Sequence, residues 1–167
     1  KTNMIHIKNS KEIEAMKKGG YMLAVALNEA LSAVKPGITE AELDKITERS
    51  VRSQGGEPGF MKVPGYHHTI CTATNEVIVH GIPGSYALKK GDVICIDAGV
   101  YYKGLHTDMA DTVVTGGDTA ATPEIRNFLE VGKKALWAGI NQAKAGNRVG
   151  HISKAIQEIV EGAGYSV

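Results

Sequence analysis

Two aspartates eleven positions apart, Asp97 and Asp108, are the residues whose type and spacing could do chemistry in this chain. Each lies in a β-type apolar run, Asp92–Val100 and Leu105–Thr115, and the intervening Tyr101-Tyr102-Lys103-Gly104 reads as a four-residue hairpin loop. That register makes the aspartates direct cross-strand partners and pairs Gly99 with His106, Cys95 with Ala110 and Val93 with Thr112, all on one face because strand side chains alternate. Ile94, Ile96, Val100, Leu105 and Met109 fall across the sheet. Carboxylates about 5 Å apart at Cβ repel by about 3 kcal/mol at an effective dielectric of about 20. A shared proton, a lysine or a metal would offset this, and an oxygen-rich pair suits hard or borderline divalent ions. Two cations about 3.5–4 Å apart would fit two-metal hydrolysis, in which an activated water attacks a polarised carbonyl. Edge-strand charges facing water are the alternative. Glycosidase-type acid and base work is weaker, because no aromatic sugar platform is visible.

His80 closes the run Glu76-Val77-Ile78-Val79-His80-Gly81-Ile82-Pro83. A histidine before glycine at a strand end can aim its ring into a cleft as a donor or proton shuttle, and an ordinary structural role fits the sequence equally well. His67 and His68, near Lys62 and Tyr66, read as solvated surface, while His151 at a helix start and His6 near the chain start read as structural. No H-E-x-x-H, C-x-x-C, G-x-S-x-G, Walker or G-x-G-x-x-G pattern occurs, which removes the usual footing of zincin, thiol, serine-hydrolase and nucleotide readings.

The elements that must position these groups follow from periodicity. Ile13, Met16, Leu23, Leu27, Leu31 and Val34 share a helical face over Lys11–Val34, with Ser10 as the expected N-cap and Lys35-Pro36-Gly37 as the stop. A second helix spans Thr39–Ser53, opening on the capping-box pattern Thr39-Glu40-Ala41-Glu42. Thr69–Thr74 and Glu76–His80 read as strands, then the hairpin, then helices over Pro123–Lys144 and Gly150–Gly162, so the class is mixed α and β. Lys35-Pro36-Gly37, helix and Gly55 match Lys144-Ala145-Gly146, helix and Gly164 at a constant offset of 109, with Leu43 on Ile152, Ile46 on Ala155 and Val51 on Val160.

With 167 residues one domain is expected. Hydrophobic residues at 43% and charged residues at 22% exclude disorder and fibrous repeats. Nineteen basic against eighteen acidic residues announce no polyanion, so neither nucleic acid nor a membrane is an expected partner, and only a local basic patch is left open. Without a long apolar stretch or a signal-type leader after Lys1-Thr2-Asn3-Met4, a soluble cytoplasmic protein is expected. Cys71 and Cys95, each alone in a β-type run, read as buried reduced thiols.

Three ordered motifs then make the chain similar to a family. Asn75-Glu76-Val77-Ile78-Val79-His80-Gly81-Ile82-Pro83, Gly91-Asp92-Val93-Ile94-Cys95-Ile96-Asp97 and His106-Thr107-Asp108 resemble the bacterial (type I) methionine aminopeptidases, from about Ile5 to Val167. The resemblance implies an α+β pita-bread (creatinase/aminopeptidase-like) fold, truncated within its second pseudo-repeat. It implies a single catalytic-domain fragment over 1–167, with a first pseudo-repeat over about 11–118 and the helices of a second over about 123–163. The activity implied is metal-dependent removal of the initiator methionine from nascent chains. Asp97 would be the first metal ligand and Asp108 a carboxylate bridging two ions. His80 would contact the substrate backbone and help to stabilise the transition state. Phe60, Tyr66 and Cys71 would line the methionine pocket, whose soft apolar walls suit a thioether. Cobalt, manganese, iron or zinc would serve.

The family's remaining ligands, a histidine and two glutamates, have no counterpart here. Two aspartates cannot complete two shells of about four to six donors. Weak or partial metal binding and little or no peptidase activity are therefore expected of this chain. The alternatives are a half-unit that pairs with itself, as a homodimer, and a non-catalytic module binding peptides or proteins. Ribosome association would rest on surface patches that the sequence does not locate.

Overall fold

The structure is a computed structural model and describes residues 5–167. The chain divides into two compact units, the first ending at Ala120 and the second spanning Ala121–Val167.

The first unit opens with helix α1, Ser10–Ala33. Its N-cap is Asn9, not Ser10: the Asn9 side chain accepts from the N–H groups of Lys11 and Glu12, and the Glu12 carboxylate accepts from the Asn9 N–H. The amide one residue earlier satisfies two first-turn donors at once, so Ser10 becomes the first helical residue. Helix α2, Glu40–Ser53, starts on a capping box formed by Thr39 and Glu42. Met22, Leu23, Ala26, Leu27 and Ala30 of α1 and Leu43 and Val51 of α2 pack with the inner face of an antiparallel sheet.

That sheet consists of β1 (Glu57–Pro58), β2 (Ile70–Thr74), β3 (Val93–Tyr102) and β4 (Leu105–Val114). β3 is central: β4 runs along one side, and β1 and β2 lie along the other. Ile94, Ile96, Ala98 and Val100 of β3 are fully buried against the helices. Met109, expected among them, is 40% exposed.

The hairpin register departs from the sequence reading. Tyr101 and Tyr102 extend β3, and the loop is only Lys103-Gly104, with φ of 49° and 84°. Positive φ at both central residues defines the tight turn whose twist matches the flanking strands. Asp97 therefore pairs with Ala110, Gly99 with Asp108, Cys95 with Thr112, Val93 with Val114 and Tyr101 with His106. A shift of two residues preserves the face, so the aspartates are diagonal rather than direct neighbours.

The stretch Glu76–His80 is not a strand: the chain turns at Asn75 (φ 53°), and His80 has φ of 55°. Branched composition predicts strand there, but no ladder partner exists among the described residues and Ile78 is 88% exposed.

In the second unit helices α3 (Pro123–Gln142) and α4 (Val149–Gly162) pack on each other. Ile152 and Ile156 fill the space above Gly139. α1 and α3 end 109 residues apart, as do both ends of α2 and α4. Gly37 and Gly146 have φ of 91° and 90°, and Gly55 and Gly164 both have 83°. Among the described residues no helix is long and apolar enough to cross a membrane.

Candidate functional site

The outer face of β3 and β4 carries Asp97 and Asp108, and β2 places Cys71 directly beside Asp97. Phe60 arrives from the short 3₁₀ turn Phe60–Lys62, Tyr66 from the loop leading into β2, and His80 from the turn-rich segment after it. These six residues, together with Val63 and Ile82, line one cavity of about 460 Å³. The structure thus brings together every site residue named from the sequence. It adds Val63 and Ile82, whose only sequence signal was proximity to Phe60 and His80.

Close approach makes the arrangement possible. A Cβ at Gly99 would lie 2.8 Å from the Phe60 ring, so this ring can lie over the strand only where the strand has no side chain.

The walls are neutral. The Tyr66 hydroxyl donates to the Ile70 carbonyl at 2.6 Å and lies 3.2 Å from Cys71 Sγ. Burial pushes the Tyr66 hydroxyl well above its usual range, helped by the Cys71 contact. Burial also raises the Cys71 thiol, and the Tyr66 hydrogen bond pulls the other way without prevailing. Both groups stay protonated at neutral pH, which makes them a polarisable wall and not a nucleophile.

The floor is charged. Burial raises the Asp97 carboxyl above the usual carboxylate range, the neighbouring Asp108 adds to this, and His80 opposes it. Asp97 Oδ1 is buried and has no hydrogen-bond partner. An orphaned carboxylate oxygen beside a second carboxylate is the donor chemistry of a divalent cation site, and a cation there would satisfy both. Among the described residues no group of three or more His, Cys, Asp or Glu side chains is placed to hold a metal. The two aspartates therefore fit part of a metal shell.

Other candidates take structural places. Cys95 is a half-buried free thiol on the Asp97 face. His68 lies 3.3 Å from Asp44, whose carboxylate also accepts from the N–H groups of Thr69 and Ile70 at the start of β2. His6 meets Glu12 at the α1 cap, His151 accepts from the Arg148 N–H at the start of α4, and Lys62 pairs with Glu57.

A family model described as metallopeptidase family M24 matches residues 14–167. The chain belongs to this family. Among relatives of this M24 chain, the methionine aminopeptidase of Clostridium perfringens is 38% identical over 164 residues, and methionine aminopeptidase 1 of Bacillus subtilis is 40% identical over 164. Each alignment covers 98% of this chain and 65% of the relative. The crystal structure of a methionine aminopeptidase from Thermotoga maritima matches with a TM-score of 0.93 at 34% identity, covering 98% of this chain and 65% of that one. The fold is accordingly the mixed α and β pita-bread fold, and the chain spans about 65% of the length of these relatives.

Proposed function

We propose that this M24 chain carries the methionine-recognising part, and two ligands, of a metal-dependent aminopeptidase that removes the initiator methionine from nascent polypeptides in the cytoplasm. The observation that carries the reading is convergence: a carboxylate pair with an unsatisfied buried oxygen forms the floor of a cavity whose walls are a ring, a phenol and a thiol. Asp97 and Asp108 would hold the divalent metal, with cobalt, manganese, iron or zinc as candidates. When bound, such an ion supplies Lewis acidity, polarising a carbonyl and acidifying water.

The chain's own residues do the rest. Phe60, Tyr66 and Cys71 take up an unbranched thioether side chain, with Val63 and Ile82 excluding water at the sides. His80 reaches the substrate backbone from above the carboxylates, where its imidazole can donate a hydrogen bond to a carbonyl that gains negative charge.

Two aspartates leave most of a coordination shell to water, so binding by this chain is weak. Calorimetric titration with Mn²⁺ or Co²⁺ is expected to give a weak isotherm that disappears in Asp97→Ala. Tight two-site binding, or an isotherm unchanged by the substitution, contradicts the reading, as does cleavage of Met-Ala peptides by this chain alone at the rates of complete relatives.

A second reading has an observation of its own. β4 has no partner along its outer side among the described strands, and its Thr112 N–H turns to the Asp111 carboxylate. An open edge of this kind favours a self-pairing, non-catalytic peptide-binding module. Size-exclusion chromatography that gives a dimer, with no metal response, would select it. Ribosome association belongs with the first reading and is checked by co-sedimentation with ribosomes.

A further inference from the structure

Glu40 is a buried carboxylate that the reading of the site does not use. In sequence it belongs to the capping pattern Thr39-Glu40-Ala41-Glu42, but Glu42 alone closes that box, leaving the Glu40 side chain to point elsewhere. Its Oε1 accepts from the Thr74 hydroxyl at 2.6 Å and its Oε2 accepts from the Gly84 N–H at 3.1 Å. Thr74 is the last residue of β2, and Gly84 is where the chain returns to α2, with the Ala41 N–H donating to the Gly84 carbonyl at 2.9 Å. One carboxylate therefore bridges the two ends of the excursion over 75–83, the segment that carries His80.

The excursion needs such a bridge. It has no ladder of its own, Val77, Ile78, Val79 and Ile82 face solvent, and His80 sits in the left-handed region with φ of 55°. A side-chain-bearing residue stays there only where its surroundings over-determine it. The segment is tied at its start by the Asn75 side chain, which donates to Asp92 and accepts from the Val93 N–H, and beside His80 by the Thr72 N–H of β2, which donates to the Gly81 carbonyl at 2.9 Å. A Cβ at Gly81 would fall 2.1 Å from the Thr72 oxygen, so glycine is obligatory next to His80. The restraint that joins both ends of the segment is the Glu40 bridge, whose two bonds to a carboxylate are of the stronger kind.

We propose that Glu40 is a positioning residue for His80: by joining Thr74 to Gly84 it holds the loop so that the imidazole stays in the methionine cavity beside Asp97. This rests on the reading of His80 as a substrate-contacting group, and it makes a residue at the start of α2 part of the machinery of a site on the far side of β2.

The test is heteronuclear NMR on this chain, comparing the unmodified protein with Glu40→Met, Thr74→Val and Thr74→Ser, and using L-methioninamide as the probe. Glu40→Met keeps the length of the side chain but offers no oxygen to either donor. The Gly84 amide is expected to exchange about tenfold faster. Backbone order parameters over 77–82 should fall from about 0.85 towards about 0.6. The His80 ring resonances should lose their probe-induced shift, while Tyr66 and the β3–β4 amides keep theirs. Thr74→Val should loosen the same segment, and Thr74→Ser, which retains the hydroxyl, should restore it. A His80 ring whose probe response and mobility are unchanged in both Glu40→Met and Thr74→Val overturns the positioning role while leaving the site reading intact. A His80 ring that ignores the probe in the unmodified protein, with the loop ordered, overturns the site reading, and the role assigned to Glu40 falls with it.

Discussion

At the scale of single residues, Asp97 is held against its own stability. Its Oδ1 has no partner, and burial and Asp108 both disfavour its charge. An unsatisfied buried acceptor costs about 1–3 kcal/mol, and Asp97→Asn removes the charge at little change in volume. In metal-free buffer at neutral pH this variant should be more stable by about 1 kcal/mol, seen as a melting temperature higher by about 2–4 °C for a chain of this size. The same variant should no longer be stabilised by added Mn²⁺. A lower melting temperature would mean that Asp97 has a structural partner, and the metal reading would lose its main support.

At the scale of elements, the loop entering β3 is tied by a carboxylate with opposite pH behaviour to Asp97. Asp92, just before β3, accepts from the Lys89 N–H, the Asn75 amide and the Tyr86 hydroxyl. Partial burial raises its carboxyl, but these three donors outweigh it and leave the group below its ordinary value of 3.8. With the folded value lower than the unfolded one, its stabilisation is complete above the unfolded value and lost as pH falls through the folded one. Exchange protection of the Lys89 amide and the near-ultraviolet signal of Tyr86 should therefore persist at the ordinary value of 3.8 and decay only as the pH falls below it. Asp92→Asn should flatten that dependence. Steric fit governs the opposite wall. Gly99→Ala drives a methyl into the Phe60 ring and is expected to cost about 1–3 kcal/mol in chemical denaturation. The cost should shrink in a Phe60→Leu background, because the colliding atoms are gone.

At the scale of the whole molecule, the two units are unequal. The first has a sheet packed on two helices with many fully buried side chains, whereas α3 and α4 bury only Val131, Ala135 and Gly139 of α3 below the same level. Phe128, Leu136, Trp137 and Ile140 are exposed, Trp137 by 62%. A helix pair with so small a core opens more readily than a sheet packed on two helices. Hydrogen exchange should reach the amides of α3 and α4 well before those of β3, and acrylamide should quench the sole tryptophan efficiently in the native protein. Equal protection across both units would contradict this ranking.

What was legible in the sequence follows from periodicity. The helices came out within one or two residues because apolar spacing and caps are local signals; Asp97, Asp108 and His80 were singled out because they stand in ordered motifs, and Phe60, Tyr66 and Cys71 through the resemblance those motifs carry. Strand alternation also placed the two aspartates on one face for a loop of two or of four residues, since the two registers differ by an even shift. Their diagonal offset was not legible, because it depends on whether Tyr101 and Tyr102 pair or turn, and the positive φ available to Lys103-Gly104 decides this only in the folded hairpin. The branched run Val77-Ile78-Val79 reads as strand by composition, and only the lack of a neighbouring edge makes it a loop. Glu40 illustrates the general limit. A helix-start glutamate looks the same whether it caps its own helix or bridges Thr74 and Gly84, since those partners lie 34 and 44 residues away along the chain and are brought to it by packing alone.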